Sequence, residues 1–199
     1  MLTLSFDTAT DAASCALVRG RDVLGERPSR ASRILHDIDG VLAGAGVEPA
    51  ELDGIVVGTG PGSYTGLRMG LVTARTLAFS LGIPVAGVST LAALAAGSPG
   101  SRPVLDARRG EVFTLVAGEY RCLQPDDLEF APGETAVGDG AVRYRDLLQG
   151  SGALVPPDES PVHVPWARHH ALLAGAFGPP EAAEPIYLRA PDAERNLLA

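Results

Sequence analysis

The spacing of apolar residues at the start of the chain predicts three consecutive strands. Leu2–Asp7 alternates between apolar and polar side chains and ends in an acid, which is typical of a strand that delivers a side chain to a sheet edge. Ser14–Arg19 and Asp22–Arg27 follow as two further strands, with Gly20 at the tight reversal between them. The sequence therefore predicts an N-terminal antiparallel meander.

A helix is predicted next, over Ser32–Ala45. Its apolar residues recur at the intervals of one helical face, and Gly46 stands where a left-handed residue commonly ends a helix. The residues that we expect to face the core are Ile34, Leu35, Ile38, Val41, Leu42 and Ala45.

The rest of the first half alternates between strand and helix. Asp53–Thr59 is predicted to be a buried strand, Thr65–Leu81 a long helix that Gly82 ends, and Pro84–Val88 another strand. A short helix capped by Ser89 follows. This order favours a mixed sheet of the ribonuclease H type, although the same periodicity fits other α/β sandwiches.

Proline and glycine cluster in the sequence SPGSRP at 98–103 and predict a boundary between two lobes. We expect residues 1–98 to form an N-terminal lobe that carries the two long helices, and residues 99–199 to form a smaller C-terminal lobe. The second lobe is predicted to contain a hairpin around Arg108-Arg109-Gly110. The elements predicted for the second lobe are the strands Val104–Asp106, Glu111–Ala117 and Glu134–Gly138, the helices Tyr144–Leu148 and Trp166–Phe177, and an extended tail at Pro185–Arg189.

Residues 56–68, with the sequence VVGTGPGSYTGLR, lead from a β-branched run through a glycine-rich turn into the long helix. Such a turn suggests phosphate binding, because a helix N-terminus offers free N–H groups and the positive end of its dipole. The chain contains no lysine, however, so the P-loop pattern is not met. Ser63 lacks the flanking glycines of a nucleophile elbow and is expected to cap the helix instead.

Two helices have an outward face that is unusual for a solvated surface. The long helix presents two arginines among apolar and small polar residues, which is more typical of a protein interface. Two glycines on the first helix each cost roughly 0.5–1 kcal/mol relative to alanine but allow another helix to approach closely. The alternative to an interface is that these residues arose by genetic drift at surface positions that tolerate substitution. The predicted interface residues are Arg33, Asp37, Gly40 and Gly44 on the first helix, and Arg68, Met69, Val72, Thr73, Arg75, Thr76 and Phe79 on the long helix.

The overall charge of −8 and the pI near 4.9 argue against strong nucleic-acid binding by this chain alone, without excluding a role beside a basic partner. Residues 76–101 carry no charge and are numerous enough to span a bilayer, but glycines and prolines interrupt them, so a helix, a strand and a second helix are expected. The N-terminus lacks the basic region of a signal peptide. We expect a cytoplasmic protein that does not enter a membrane.

The sequence offers few catalytic candidates. No two of the four histidines have the i, i+4 spacing that places two metal ligands on one helix face, so no metal site is predicted. No catalytic group is predicted either. Asp7 is the best polar candidate and could hold a metal–phosphate complex, but we favour the alternative that it accepts backbone N–H groups in its turn. His36 is expected to be solvated, and Cys15 to pack in the core. Arg108 and Arg109 could meet a phosphate, although arginines at a turn are usually solvated.

Four blocks of sequence resemble the bacterial TsaB family, also called YeaZ. In chain order they are LSFDTATDAASCALV, VVGTGPGSYTGLRMGLVTARTLAFSLGIPVAGVSTLAAL, VLDARRGEVF and PIYLRAPDA. The resemblance implies an α/β fold of the actin/Hsp70/hexokinase-like (ASKHA) type, with two ribonuclease-H-like lobes of which the second is reduced. Asp7 and Thr8 match the first phosphate hairpin of that fold, so the cofactor it suggests is ATP or ADP with Mg²⁺, bound weakly.

The resemblance also implies a part in making threonylcarbamoyladenosine in tRNA. In that family TsaB is not the catalyst: it pairs with its relative TsaD, which transfers the threonylcarbamoyl group, and the ATPase TsaE joins them. The complex brings in the tRNA, and TsaB-like proteins alone form homodimers. The contact helices correspond to Ser32–Ala45 and Thr65–Leu81. The catalytic relative carries a metal-binding H-x-x-x-H pair, which is missing here.

Three functions compete at this point. A scaffold subunit of the tRNA-modifying complex is favoured. A free-standing ASKHA-type enzyme, such as an ATPase or kinase, is the alternative. A peptidase is the least favoured, because the sequence shows neither a metal-binding histidine pair nor the pattern of a catalytic nucleophile.

Overall fold

The computed structural model describes residues 1–189. The second lobe's residues 190–199, including the end of the tail motif, lie outside the described residues. The first sheet has five strands in the order β3-β2-β1-β4-β5. They are β1 (Leu2–Asp7), β2 (Ala13–Arg19), β3 (Asp22–Ser29), β4 (Gly54–Gly58) and β5 (Val85–Val88).

The first sheet is mixed, as its sequence pattern predicts. Strands β1, β2 and β3 are antiparallel neighbours, while β4 lies parallel to both β1 and β5. All residues of β1 and β4 are buried, because helices cover both faces of the sheet at its centre. Asp7 is the last residue of β1, so its side chain is held at the end of the central strand.

Two helices cover one face of this sheet: α1 (Ile34–Ala45) and α2 (Tyr64–Leu81). Both end at a glycine in the left-handed conformation, Gly46 with φ 65° and Gly82 with φ 67°, as predicted. The start of α1 differs from its prediction, because residues 31–33 form a 3₁₀ turn. Leu35, expected in the core, is 59% exposed, because it lies one residue around the helix from the buried stripe.

The second lobe contains a four-stranded sheet in the order β8-β7-β6-β9. After α3 (Thr90–Gly97) come β6 (Arg102–Arg108), β7 (Glu111–Val116), β8 (Glu119–Leu123), β9 (Ala136–Val137), α4 (Asp139–Arg143) and α5 (Arg145–Gly150). The predicted hairpin is present as β6 and β7. Strand β8 and helix α4 were not predicted; β8 is a largely exposed edge strand, so its sequence lacks a buried apolar face.

The last α-helix of the described residues, α6 (Ala167–Leu173), returns to the first sheet, although it follows the second-lobe sheet in the chain. It is shorter than predicted and packs on the face opposite α1 and α2. Ser5 Oγ on β1 donates to the Ala167 carbonyl at 2.8 Å, and Ser14 Oγ on β2 donates to the Pro165 carbonyl at 3.1 Å. Both lobes therefore contribute to the packing of the first sheet. The exact boundary at residues 98 and 99 stays a prediction.

The uncharged run at 76–101 forms the end of α2, the strand β5 and the helix α3. Within residues 1–189, no helix combines the length and apolar character that a membrane span requires.

Candidate functional site

The glycine-rich loop packs directly on the turn that follows β1. A Cβ built on Gly62 would overlap the Ala9 carbonyl, and one on Gly66 would overlap the Thr8 carbonyl. The same addition at Gly58 would overlap the carboxylate of Asp7. The glycines therefore allow two segments of this chain to lie in close contact. The glycine-rich turn, which lacks the lysine of a P-loop, packs against the turn after β1.

Two polar side chains fix this contact. Thr8 Oγ1 donates to the Gly66 carbonyl at 2.7 Å, at the start of α2. Ser63 caps α2 as predicted, because its Oγ accepts the Gly66 N–H at 3.4 Å, and the Ser63 N–H donates to the Ala9 carbonyl at 2.7 Å. Thr8 is buried, and its hydroxyl is used within the chain.

Asp7 lies at the centre of the contact and is 1% exposed. One carboxylate oxygen accepts the Ala9 N–H at 2.6 Å, which confirms the favoured interpretation of a turn-binding aspartate. The other oxygen accepts the Thr90 hydroxyl at 2.6 Å and lies 2.7 Å from His170 Nε2. Nucleotide binding at Asp7 and Thr8 stays a prediction, and in this structure both side chains are buried and occupied by contacts within the chain.

The charge on Asp7 is stabilised by its neighbours. Burial raises the pKa of the Asp7 carboxyl, but the positive charge of His170 and the hydrogen bonds from His170, Thr90 and Ala9 lower it further, so the pKa falls below its ordinary value. The His170 Nδ1 lies 3.3 Å from the Trp166 carbonyl. Each ring nitrogen of His170 thus lies near an oxygen atom of the chain.

Sequence reasoning missed His170 as a partner of Asp7. The two residues lie at opposite ends of the chain, and no local spacing connects them. Two other predictions of this kind are confirmed, because His36 is exposed and Cys15 is buried in the core. Arg108 is exposed at its turn, but it is paired with Asp11 and Asp106 and is not simply solvated. Within the described part of the chain, no group of three or more His, Cys, Asp or Glu side chains could hold a metal ion.

The outer face of α2 is apolar over most of its length. Phe79 is 82% exposed, Val72 is 61% exposed and Met69 is 38% exposed. Thr76 is exposed with them, and Thr73 is partly exposed. We call Met69, Val72 and Phe79 the α2 apolar strip. Its exposure agrees with the outward position that the helical wheel predicts for these residues.

Arg75 does not lie free on that face. Its Nη2 donates to the Ala183 carbonyl at 2.7 Å, so the side chain attaches the C-terminal segment to α2. Arg68 is exposed near the start of α2, where its Nη1 donates to the Tyr64 hydroxyl at 2.7 Å. Arg75 thus has an intramolecular contact that a helical wheel of α2 could not predict.

The predicted outer face of α1 needs two corrections. Asp37 is buried, not outward, because its Oδ2 accepts the Ser29 hydroxyl at 2.6 Å and its Oδ1 lies 3.9 Å from the Arg27 guanidinium. A Cβ at Gly40 would overlap the Arg27 side chain, so this glycine makes room for a contact with β3.

The two remaining α1 residues are placed as predicted. Gly44 is exposed, with no atom within 4 Å of a Cβ added there, and Arg33 is exposed. These two residues of α1 are therefore open to a partner, whereas Asp37 and Gly40 are covered by β3.

A cleft of about 550 Å³ separates the two lobes. Its walls are the first turn of α2, the turn between β6 and β7, and the tail at residues 186–189. The tail joins both walls: the Ile186 N–H donates to the Thr59 carbonyl at 2.8 Å, and Arg189 contacts Glu111 and the Ala107 carbonyl.

Two aspartates of the second lobe, Asp106 and Asp139, are in contact, and Asp106 lines this cleft. Burial and the nearby charge of Asp106 raise the pKa of Asp139 to about 6, against hydrogen bonds from the Asp106 and Gly140 N–H groups that lower it. Asp106 itself lies 3.2 Å from Arg108 and 3.4 Å from Arg143. Its charge is therefore balanced by guanidinium groups.

Known proteins resemble this chain over nearly its whole length. The tRNA threonylcarbamoyladenosine biosynthesis protein TsaB of Escherichia coli is 32% identical over 225 residues, covering 95% of each protein. The protein of the same name from Bacillus subtilis is 38% identical over 123 residues, covering 57% of this chain and 54% of that protein. The structure of YeaZ from Pseudomonas aeruginosa superposes with a TM-score of 0.79 at 28% identity and covers 94% of this chain and 99% of that one.

A family model described as TsaD, tRNA N6-adenosine threonylcarbamoyltransferase, matches residues 27–150. The Escherichia coli TsaB thus matches almost the whole chain, and the TsaD family matches residues 27–150. The two mixed sheets have the ASKHA-like α/β architecture that the family resemblance implies. The chain belongs to the TsaB/YeaZ family.

Proposed function

We propose that this chain acts in the biosynthesis of threonylcarbamoyladenosine in tRNA as a non-catalytic subunit. It binds a TsaD-type catalytic subunit, and through that complex a TsaE-type ATPase and the tRNA. When alone, it forms a homodimer through the same surface, in the cytoplasm. Support for the pathway comes from its relatives in Escherichia coli and Bacillus subtilis, which are named as biosynthesis proteins of this modification.

The α2 apolar strip is the observation that carries the subunit role. An exposed phenylalanine, valine and methionine on one helix form an apolar surface that water solvates poorly, and such patches commonly mark protein contacts. The exposed Gly44 on α1 offers a neighbouring place where a partner helix can approach. Homodimer and heterodimer are then mutually exclusive, because both need this strip.

A reconstitution assay tests the proposal. The purified chain is mixed with TsaD, TsaE, ATP, threonylcarbamoyl-adenylate and unmodified tRNA, and the modified nucleoside is measured after digestion. We expect modification only when the chain is present with TsaD, and none from the chain alone. Modification at the same rate without this chain would contradict a subunit role.

The same preparation tests the free-standing enzyme alternative. The chain alone should not turn over ATP. Sustained ATP hydrolysis by the isolated wild-type protein, copurifying with it through two different columns, would favour the ATPase or kinase-like function over the scaffold.

A further inference from the structure

A concavity of about 570 Å³ lies where β3 ends and α1 begins. The residues that line it are Arg27, Pro28, Ser29, Arg30, Arg33 and Asp37. Three of these side chains are guanidinium groups and one is a carboxylate. The concavity therefore carries an excess of positive charge on a chain whose overall charge is −8.

Two of the three arginines have no counter-charge within the chain. The Arg27 guanidinium lies 3.9 Å from Asp37 Oδ1, and its Nη2 donates to the Gly40 carbonyl at 3.4 Å. Arg30 and Arg33 are both exposed, and among residues 1–189 no carboxylate pairs with either guanidinium. Their charges are therefore available to an anion from outside the chain.

The backbone holds these two arginines close together. The Arg33 N–H donates to the Arg30 carbonyl at 2.8 Å and closes the 3₁₀ turn at residues 31–33. The Cα atoms at the two ends of such a turn lie within about 7 Å of each other, so both side chains can reach neighbouring charges of one ligand. Within the described residues, neither this turn nor α1 has a side chain that caps its N-terminus, so its first N–H groups add to the positive potential.

Arg68 extends the positive surface along the same end of the first sheet. Strands β1 and β3 end at this end of the sheet, because both are antiparallel to β2. Helix α2 begins there too, since the Thr8 hydroxyl donates to the Gly66 carbonyl, and α2 packs against the 3₁₀ turn. Arg68 is exposed near the start of α2 and likewise has no carboxylate partner in the chain up to residue 189.

The composition of the concavity favours a nucleic-acid backbone over an acidic protein surface. Protein interfaces have an apolar core from which charged residues are depleted, whereas Pro28 is the one apolar side chain among the described residues that line the concavity. Contacts to a nucleic-acid backbone are instead polar and rich in arginine. None of the six lining residues is aromatic, so a base finds no ring on which to stack.

We propose that Arg30 and Arg33, with Arg27 beside them, bind neighbouring phosphate groups of an RNA backbone, and that Arg68 continues this contact. The contact is made with phosphates and not with base edges, so it does not depend on sequence. The inference deepens the proposed function and rests on it for the identity of the RNA, which is the tRNA of the modification. This chain then holds tRNA directly, in addition to binding the catalytic subunit.

The RNA contact leaves room for a protein partner on the same two helices. Arg33 precedes α1 and Gly44 lies in its last turn, so about 16 Å of helix separates them. Helix α2 begins at the same end of the sheet as α1, and Phe79 lies in the last turn of α2. The most exposed residue of the α2 apolar strip therefore lies at the far end of the helices from the arginines.

Binding of RNA to the isolated chain tests the site without any partner protein. Fluorescence anisotropy follows labelled unmodified tRNA over a series of salt concentrations, with a single-stranded RNA of unrelated sequence as second probe. Both should bind at low salt, and the double variant Arg30→Gln/Arg33→Gln should weaken each by about tenfold or more. The slope of log K against log salt should fall in magnitude by about 1.4–1.8, because each lost phosphate contact removes about 0.7–0.9.

The matched control is the double variant Arg19→Gln/Arg21→Gln. Arg19 and Arg21 are exposed and have no carboxylate partner among the described residues. They lie at the hairpin between β2 and β3, at the opposite end of β3 from the concavity. The control changes the net charge by the same amount and should leave both RNA affinities and the salt slope nearly unchanged.

Three results would overturn the proposal. They are no binding of either RNA at low salt, an equal loss of RNA binding in both double variants, and binding of a poly-glutamate peptide in place of RNA with the same sensitivity to Arg30→Gln/Arg33→Gln. The subunit role would stand in each case, because the reconstitution assay does not require this chain to hold the tRNA itself. If modification instead proceeds equally without this chain, the subunit role fails while the RNA site is still judged by its own titration.

Discussion

His170 Nε2 lies 2.7 Å from Asp7 Oδ2, and both side chains are buried. This contact joins the central strand β1 to α6, the last α-helix of the described residues. The same carboxylate oxygen accepts the Thr90 hydroxyl at the start of α3. One buried aspartate therefore connects three segments that meet at the end of the first sheet.

Replacing His170 should destabilise the fold strongly. His170→Gln removes the side chain whose interaction lowers the pKa of the buried Asp7 carboxyl, and leaving a buried carboxylate without its partner commonly costs about 3–5 kcal/mol. Urea unfolding at neutral pH measures the change in the free energy of unfolding. His36→Gln is the control, because His36 is exposed on α1 and should change that free energy little. Equal stability of the two variants would show that the pair does not hold α6 to the sheet.

Asp139 should make stability depend on pH in the weakly acidic range. Its pKa in the folded protein is raised from 3.8 to about 6, so the folded state binds a proton that the unfolded state has already released. The stabilising contribution is complete below pH 3.8 and is lost as the pH rises through about 6. Asp139→Asn keeps an oxygen that can accept the Asp106 N–H but cannot titrate, so this loss should vanish. A variant that retains the full wild-type slope between those pH values would contradict the assignment.

Two glycine-to-alanine substitutions should have opposite effects on stability. Gly66→Ala places a Cβ against the Thr8 carbonyl and should destabilise the protein by separating α2 from the turn after β1. Gly44→Ala has free space around it within the chain and should stabilise the unassociated chain by roughly 0.5–1 kcal/mol. Thermal unfolding of both variants measures the difference. A neutral Gly66→Ala would mean that the turn moves away without penalty.

The sequence predicts the elements whose signals are local. Strand β1, the helices α1 and α2, and the caps at Ser63 and Gly46 follow from periodicity and from residue preferences within a few positions. The two-sheet fold follows from their order together with the family resemblance.

The contacts that define the site join different elements of the fold, so local sequence patterns could not predict them. Arg27 covers Gly40, Asp37 accepts the Ser29 hydroxyl, and His170 reaches Asp7 only because α6 returns to the first sheet. Each of these pairs joins different elements. A helical wheel shows which direction a residue faces but not which strand or tail already occupies that side.

A partner surface on α2 should be sensitive to one buried charge. Val72→Glu places a carboxylate in the middle of the α2 apolar strip, where a partner would bury it without a counter-charge. The fold should survive, because Val72 is exposed in the isolated chain. Leu147→Glu is the control, because Leu147 is an exposed leucine on α5 of the second lobe. Gly40→Leu on α1 would not test the partner surface, because the added side chain would displace Arg27 within the same chain.

Sedimentation velocity of the wild type, alone and mixed with TsaD, tests the central claim most directly. The wild type and Leu147→Glu should sediment as homodimers and convert to heterodimers with TsaD, while Val72→Glu should remain monomeric and fail to bind TsaD. A wild-type chain that is strictly monomeric and does not associate with TsaD, or a Val72→Glu variant that keeps both complexes, would contradict the account.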